Sequence, residues 1–183
     1  MSPAPPAALT ESAVLVQVPA AEPLVSRHRA RLDSAAELGV PAHVTILSPF
    51  MPPSAITSTT LAILAEAVAP VTAFDCQFAA TAWFGTDVLW LAPRPDEPFR
   101  ALIRAVSAAF PGYLPFGGAY GEAIPHLTVG NRPAGGSAVL RAAEAEVVPV
   151  LPIAARISQV HLMAGSTAPG SWRVLAELPL ATR

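Results

Sequence analysis

Two short stretches of this chain carry residues that could do chemistry: HVTILSPF at 43–50 and HLTVGNRP at 126–133. Each sets a histidine two places before a threonine, with apolar residues between and after. Alternate side chains of an extended strand share a face. His43 and Thr45 therefore project together while Val44 and Ile46 point to the other side, and His126 and Thr128 project together opposite Leu127 and Val129. If both strands border one cleft, two imidazoles and two hydroxyls converge there. An imidazole, with an unperturbed pKa of about 6.5, accepts a proton when neutral and gives one when charged. Threonine hydroxyls can donate to the non-bridging oxygens of a phosphate as charge builds on them. The set suits cleavage of a phosphodiester. One histidine draws a proton from water or a ribose hydroxyl, the other protonates the leaving oxygen, and no metal enters the scheme.

Strands and helices must hold those side chains in place. SAVLVQVP reads as a buried strand, residues 20–38 as a helix stopped by Gly39, and AHVTIL as the strand of the first motif. A helix follows in SAITSTTLAILAEAVA, with Ser54 as N-cap and Pro70 beyond its end. The strands FDCQFAATAWF and DVLWLAP are joined at the turn signal GTD. DVLWLAP also opens the second half, which continues with a helix in DEPFRALIRAVSAAF and the strand HLTVG. The helix SAVLRAAEAEVV and the strands IAARISQVHLMAG and WRVLAELPL complete it. The order strand, helix, His-x-Thr strand, helix, strand thus occurs twice. Such duplication lets a pseudo-two-fold axis bring equivalent strands face to face. The expectation is one α+β domain, 1–183, built of two lobes at about 12–84 and 86–180, with a frayed leader at 1–11. The longest irregular piece, 111–125, is long enough to be functional.

The duplicated HVTI and HLTV, in a chain of this length and element order, resemble the 2H phosphoesterases, which include 2',5' RNA ligase-like and 2',3'-cyclic nucleotide phosphodiesterase proteins. The resemblance runs from about residue 12 to residue 180. It implies two pseudo-symmetric lobes, each an antiparallel sheet flanked by helices, around a central groove floored by the two motifs. It also implies metal-independent hydrolysis of cyclic or 2',5'-linked phosphodiesters. Within it His43 and His126 take the acid and base roles, Thr45 and Thr128 hold the phosphate, and Arg132 is the nearest match to the basic side chain that family members often carry after the second motif. Phe50, Phe116 and Tyr120 lie close to the motifs in sequence and could stack on a base.

Bulk composition narrows the partner. A net charge of −2 argues against a grip on long nucleic acid, which needs many neutralised phosphates. All 11 basic residues are Arg, so any phosphate contact uses the guanidinium fork or neutral donors. The lone Cys76 allows no internal disulfide and reads as a small buried apolar residue. No basic leader or long apolar run marks a signal segment or membrane span. The expectation is a cytoplasmic monomer acting on a small nucleotide or RNA end, with no cofactor, metal or membrane. His28 reads as a packing or surface position, His161 as an ordinary strand position, and Arg27, Arg29 and Arg31 as a solvated helix face. Two other readings compete. A groove that only binds a phosphorylated ligand would be served as well by Arg or backbone amides as by paired histidines. A zinc site would want further ligands beyond two histidines, and Glu122 is the acidic residue nearest the second motif. The motifs are near-equivalent, so either histidine can be the base.

Overall fold

The computed structural model describes residues 8–119, 123–131 and 136–182. In chain order it contains β1 (Glu11–Gln17), α1 (Glu22–Leu32), α2 (Ser34–Glu37), β2 (His43–Leu47), α3 (Ser58–Val68), β3 (Phe74–Phe84) and β4 (Val88–Arg94). There follow α4 (Glu97–Ala109), β5 (Leu127–Asn131), α5 (Ser137–Val147), β6 (Ile153–Ile157), β7 (Gln159–Gly165) and β8 (Arg173–Pro179). The strands form one eight-stranded antiparallel sheet in the order β6-β3-β4-β5-β2-β1-β7-β8, an α+β arrangement with the motif strands at its centre.

Two helix starts differ from expectation. The helix expected over 20–38 breaks at Asp33, whose backbone is extended (φ −133°, ψ 111°) and whose carboxylate accepts from the Ala35 N–H at 3.1 Å to cap α2. α3 starts after Thr57 rather than Ser54. Thr57 and Thr60 form a reciprocal capping box, and Pro53–Ala55 make a separate single turn. Gly39 stops the α2 segment as expected, with φ +95°.

The repeated order exists, but its spatial division differs from the expected lobes. β3, which closes the first repeat, pairs with β4 and β6 of the second. β7 of the second pairs with β1 of the first. One half of the sheet is therefore β8-β7-β1-β2 and the other β6-β3-β4-β5, each drawing strands from both stretches of chain. The helices cross in the same sense, α1 packing on β5 and α4 on β2.

One face of the central strands makes the main core. Val14, Val16, Val44, Ile46, Leu127 and Val129 are buried there with Leu64, Phe99, Leu102 and Leu140 from the helices. Gly130 lets helices approach β5 closely: a Cβ there would sit 2.7 Å from Leu32 Cβ and 2.8 Å from Leu140 Cδ2. Among the described residues no helix is long and apolar enough to cross a membrane. Gly130→Ala should overpack this junction by about 1–3 kcal/mol. A thermal unfolding midpoint several degrees lower is the expected result, and an unchanged midpoint would show that α1 and α5 are free to shift.

Candidate active site

β2 and β5 pair antiparallel with Val44 opposite Leu127. Extending that register one step each way sets His43 across from Thr128 and Thr45 across from His126. All four lie on the face opposite the core, so the side chains mark the corners of a square with the imidazoles on one diagonal. Diagonal neighbours on an antiparallel pair have Cα atoms about 7–8 Å apart. The four residues line one cavity of about 450 Å³, together with Asp33, Ala35, Phe84, Phe116 and Asn131.

Each imidazole is tied to its own strand in the same way. His43 Nδ1 lies 2.7 Å from the Pro41 carbonyl oxygen and His126 Nδ1 2.7 Å from that of Ile124. A carbonyl oxygen can only accept, so Nδ1 is the N–H donor in both rings. Nε2 is then the basic nitrogen of each neutral ring, on the side away from that carbonyl.

The surroundings of the two rings differ. Burial pushes the His43 pKa down to about 4, helped by the Arg29 cation and by His126, and opposed by its hydrogen bond to Pro41 and by Asp33. Burial also lowers His126, opposed by the bond to Ile124. On the His43 side stands a buried ion pair. Arg29 Nη2 lies 2.9 Å from Asp33 Oδ2 and also donates to the Val40 carbonyl at 3.1 Å. Asp33 Oδ1 accepts from Asn131 Nδ2 at 3.4 Å, linking the end of α1 to the strand of the second motif. On the His126 side stand aromatic rings. Phe84 meets His126 edge-on at 4.9 Å between centroids, Trp90 lies at 5.8 Å, and Phe116 lies nearly parallel at 5.9 Å. Phe84 and Trp90 stack on each other at 4.8 Å. Phe116 has φ +53°, in the left-handed region that costs a non-glycine residue energy.

His43, His126, Thr45 and Thr128 thus come together, and Phe116 joins them. Phe50 does not. It is 5% exposed and packs edge-on against Phe110 at 5.0 Å and Tyr113 at 5.3 Å, so it belongs to the core and not to a base-stacking site. Tyr120, Glu122 and Arg132 lie outside the described residues. The arginine cluster divides: Arg29 is buried, Arg27 is exposed and pairs with Glu146 at 2.7 Å, and Arg31 is exposed. His28 is buried 3.8 Å from Glu146. His161 is buried on β7, one strand away from the cavity, with Nδ1 accepting weakly from the Gln17 N–H at 3.5 Å. Sequence reading missed Asp33, Asn131, Phe84 and Trp90. A signal existed for Asp33, since Asp before Ser-Ala-Ala-Glu is an N-cap pattern. Phe84 and Trp90 reach the site through cross-strand register, which has no local signature, and Asn131, on the motif strand itself, faces the cavity because of the register shift near the end of β5. Among the described residues no three His, Cys, Asp or Glu side chains group as metal ligands.

A family model described as the 2'-5' RNA ligase superfamily matches residues 16–168. No curated protein matches the chain. Among solved structures, E. coli LigT complexed with 3'-AMP is 20% identical with a TM-score of 0.62, over 95% of this chain and 99% of that one. A structure described as a phosphoesterase is 18% identical with a TM-score of 0.63, over 95% and 99%. The protein TT0787 of Thermus thermophilus is 14% identical with a TM-score of 0.63, over 92% and 97%. At these identities the likeness is one of fold.

The lowered pKa values fix the sign of a pH effect. The folded state holds both imidazoles neutral, so their contribution to stability is present above pH 6.5 and is lost as pH falls from there through the folded values, about 4 for His43. In histidine NMR titrations His43 should turn over near pH 4. Asp33→Asn, by removing the charge that holds it up, should move that midpoint lower still; a move upward would show that the carboxylate does not act on the ring.

Proposed function

Because the chain belongs to the 2'-5' RNA ligase superfamily, a family of phosphoesterase-type proteins, we propose that it hydrolyses a small phosphodiester by a two-histidine acid and base mechanism without a metal. The substrate class is a 2',3'-cyclic nucleotide, a 2',5'-linked nucleotide or an RNA-end phosphate. The observation that carries this reading is the free Nε2 of both imidazoles on one diagonal of the His-Thr square, each fixed by Nδ1. Solved structures of LigT hold 3'-AMP, ATP, NADP+ and phosphate, which supports a nucleotide as the ligand of such a groove. The protein is read as a cytoplasmic monomer.

In the reaction, water attacks phosphorus while Nε2 of one neutral histidine takes its proton. The phosphorus–oxygen bond to the ribose breaks, and the other histidine, protonated, gives its Nε2 proton to the leaving oxygen. Thr45 and Thr128 donate hydrogen bonds to the non-bridging oxygens, where charge is greatest. His43 is the base in this scheme, since burial, with Arg29 adding to it, holds it neutral. A bound phosphate anion favours the charged form of His126, which makes it the acid.

Assays on 2',3'-cyclic nucleotides, 2',5'-linked dinucleotides and cyclic-phosphate RNA ends test the reading. His43→Ala and His126→Ala should each lower the rate by about two to four orders of magnitude. Thr45→Val and Thr128→Val should each cost about tenfold or more, as for a lost hydrogen bond to a charged group. Chelators should leave the wild-type rate unchanged, and kcat/KM should peak on the acid side of pH 6.5 because both imidazole pKa values are lowered. A rate indifferent to both histidines would remove the proposal, and tight nucleotide binding with no product would favour a binding module.

A further inference from the structure

Residues 39–42, between α2 and β2, belong to no helix or strand, yet among them is the Pro41 carbonyl that accepts from His43 Nδ1. Such a stretch keeps its shape only if its backbone groups find partners elsewhere. The Val40 N–H donates to the Ala35 carbonyl at 2.9 Å, and the Ala42 carbonyl accepts from the Val18 N–H at 2.8 Å. The groups on either side of the Pro41 carbonyl, which are the Val40 carbonyl and the Ala42 N–H, are met by side chains of α1. Arg29 Nη2 donates to the Val40 carbonyl at 3.1 Å, and Glu22 Oε1 accepts from the Ala42 N–H at 2.5 Å.

Glu22 and Arg29 are two helical turns apart and so share one face of α1. Arg29 Nη1 lies 4.0 Å from Glu22 Oε1, and Arg29 Nε and Nη2 lie 3.0 and 2.9 Å from Asp33 Oδ2. Arg29 and Asp33 are buried and Glu22 is half-buried. What Glu22 and Arg29 fix is the main chain on each side of Pro41, and with it the direction of the carbonyl. That carbonyl keeps the proton of the neutral ring on Nδ1 and leaves Nε2 as the basic nitrogen. The clamp is on the His43 side: Ile124, whose carbonyl serves His126, is 44% exposed.

We propose that Glu22, working with Arg29, is a positioning residue for His43. By gripping the main chain on both sides of Pro41 it holds the imidazole in the tautomer that presents Nε2 as a base. The proposal rests on the two-histidine reading of the site and adds to it a residue that acts through the main chain, not on the substrate.

Nitrogen NMR of the histidine side chains tests this, since the shifts of Nδ1 and Nε2 distinguish the two neutral tautomers. Above the usual imidazole pKa of about 6.5, wild-type His43 should carry its proton on Nδ1 only. Glu22→Ala should add the Nε2-protonated form of His43 while the His126 signals stay in place, which a general loosening of the fold would not do. Glu22→Gln, whose amide oxygen still accepts from the Ala42 N–H, should restore the wild-type pattern. In hydrolysis, Glu22→Ala should lower kcat about tenfold with KM little changed, as for one lost hydrogen bond to a charged group, and Glu22→Gln should recover most of the rate. Arg29 is a poorer position to change, because its loss leaves Asp33 buried and unpaired. A His43 tautomer unmoved by Glu22→Ala, an equal change at His126, mixed tautomers with full rate, or a loss that Glu22→Gln does not repair would overturn the proposal. A wild type that hydrolyses none of the substrates would count against the function proposed above, and the tautomer readout would still decide the role of Glu22.

Discussion

The site depends on one pairing, Val44 opposite Leu127, at the junction of the two half-sheets. The side-chain period of a strand is two, so a slip of one residue would turn both motifs over. It would bring Val44, Ile46, Leu127 and Val129 out of the core, where each contributes about 1.5–3 kcal/mol. It would also bury imidazoles and hydroxyls with no partners prepared for them. The hydrophobic face therefore sets the geometry of the polar one. The threonines and histidines need no interaction with each other to be held in register, which leaves their hydrogen-bonding groups available to a ligand.

Backbone symmetry stops short of chemical equivalence. Both rings are fixed by the carbonyl two residues before them, and burial lowers both pKa values. What separates them lies outside the motifs. His43 has the Arg29–Asp33 pair near it, while His126 has Phe84, Trp90 and Phe116. Asp33 also reaches Asn131, so one buried carboxylate joins the helix of the first repeat to the motif strand of the second. A buried pair of this kind adds little net stability when intact but costs several kcal/mol when one partner is removed. Its value here is in fixing where α1 ends relative to β5.

Much of this could be read from the chain. Strand alternation gave the faces of both motifs, and repeated order gave the duplication and the α+β class. Elsewhere local pattern pointed the wrong way for identifiable reasons. Arg27, Arg29 and Arg31 look like a cluster, yet residues two apart on a helix lie about 200° apart around the axis, so Arg29 turns inward as its neighbours turn out. Phe50 follows the first motif closely in sequence, but the chain has left the groove by then and the ring meets Phe110. Apolar spacing on both sides of Asp33 suggested one helix and hid the cap between two. The exchange of β3 and β7 between halves had no local trace, because long-range pairing is settled by packing of whole elements.

The two halves of the sheet are closed off in different ways, which adds to the inequality of the two rings. The segment 166–172 meets the end of α2 over one half, whereas on the other half β3 and β4 are joined by the three residues 85–87, too few to fold back over the face. The electrostatic surroundings of the rings differ as well: burial chiefly lowers the His43 pKa, with Arg29 adding to it and Asp33 opposing it, whereas burial lowers that of His126 against its bond to Ile124. Two unrelated features, the length of a turn and the position of a buried ion pair, thus break the symmetry of the site.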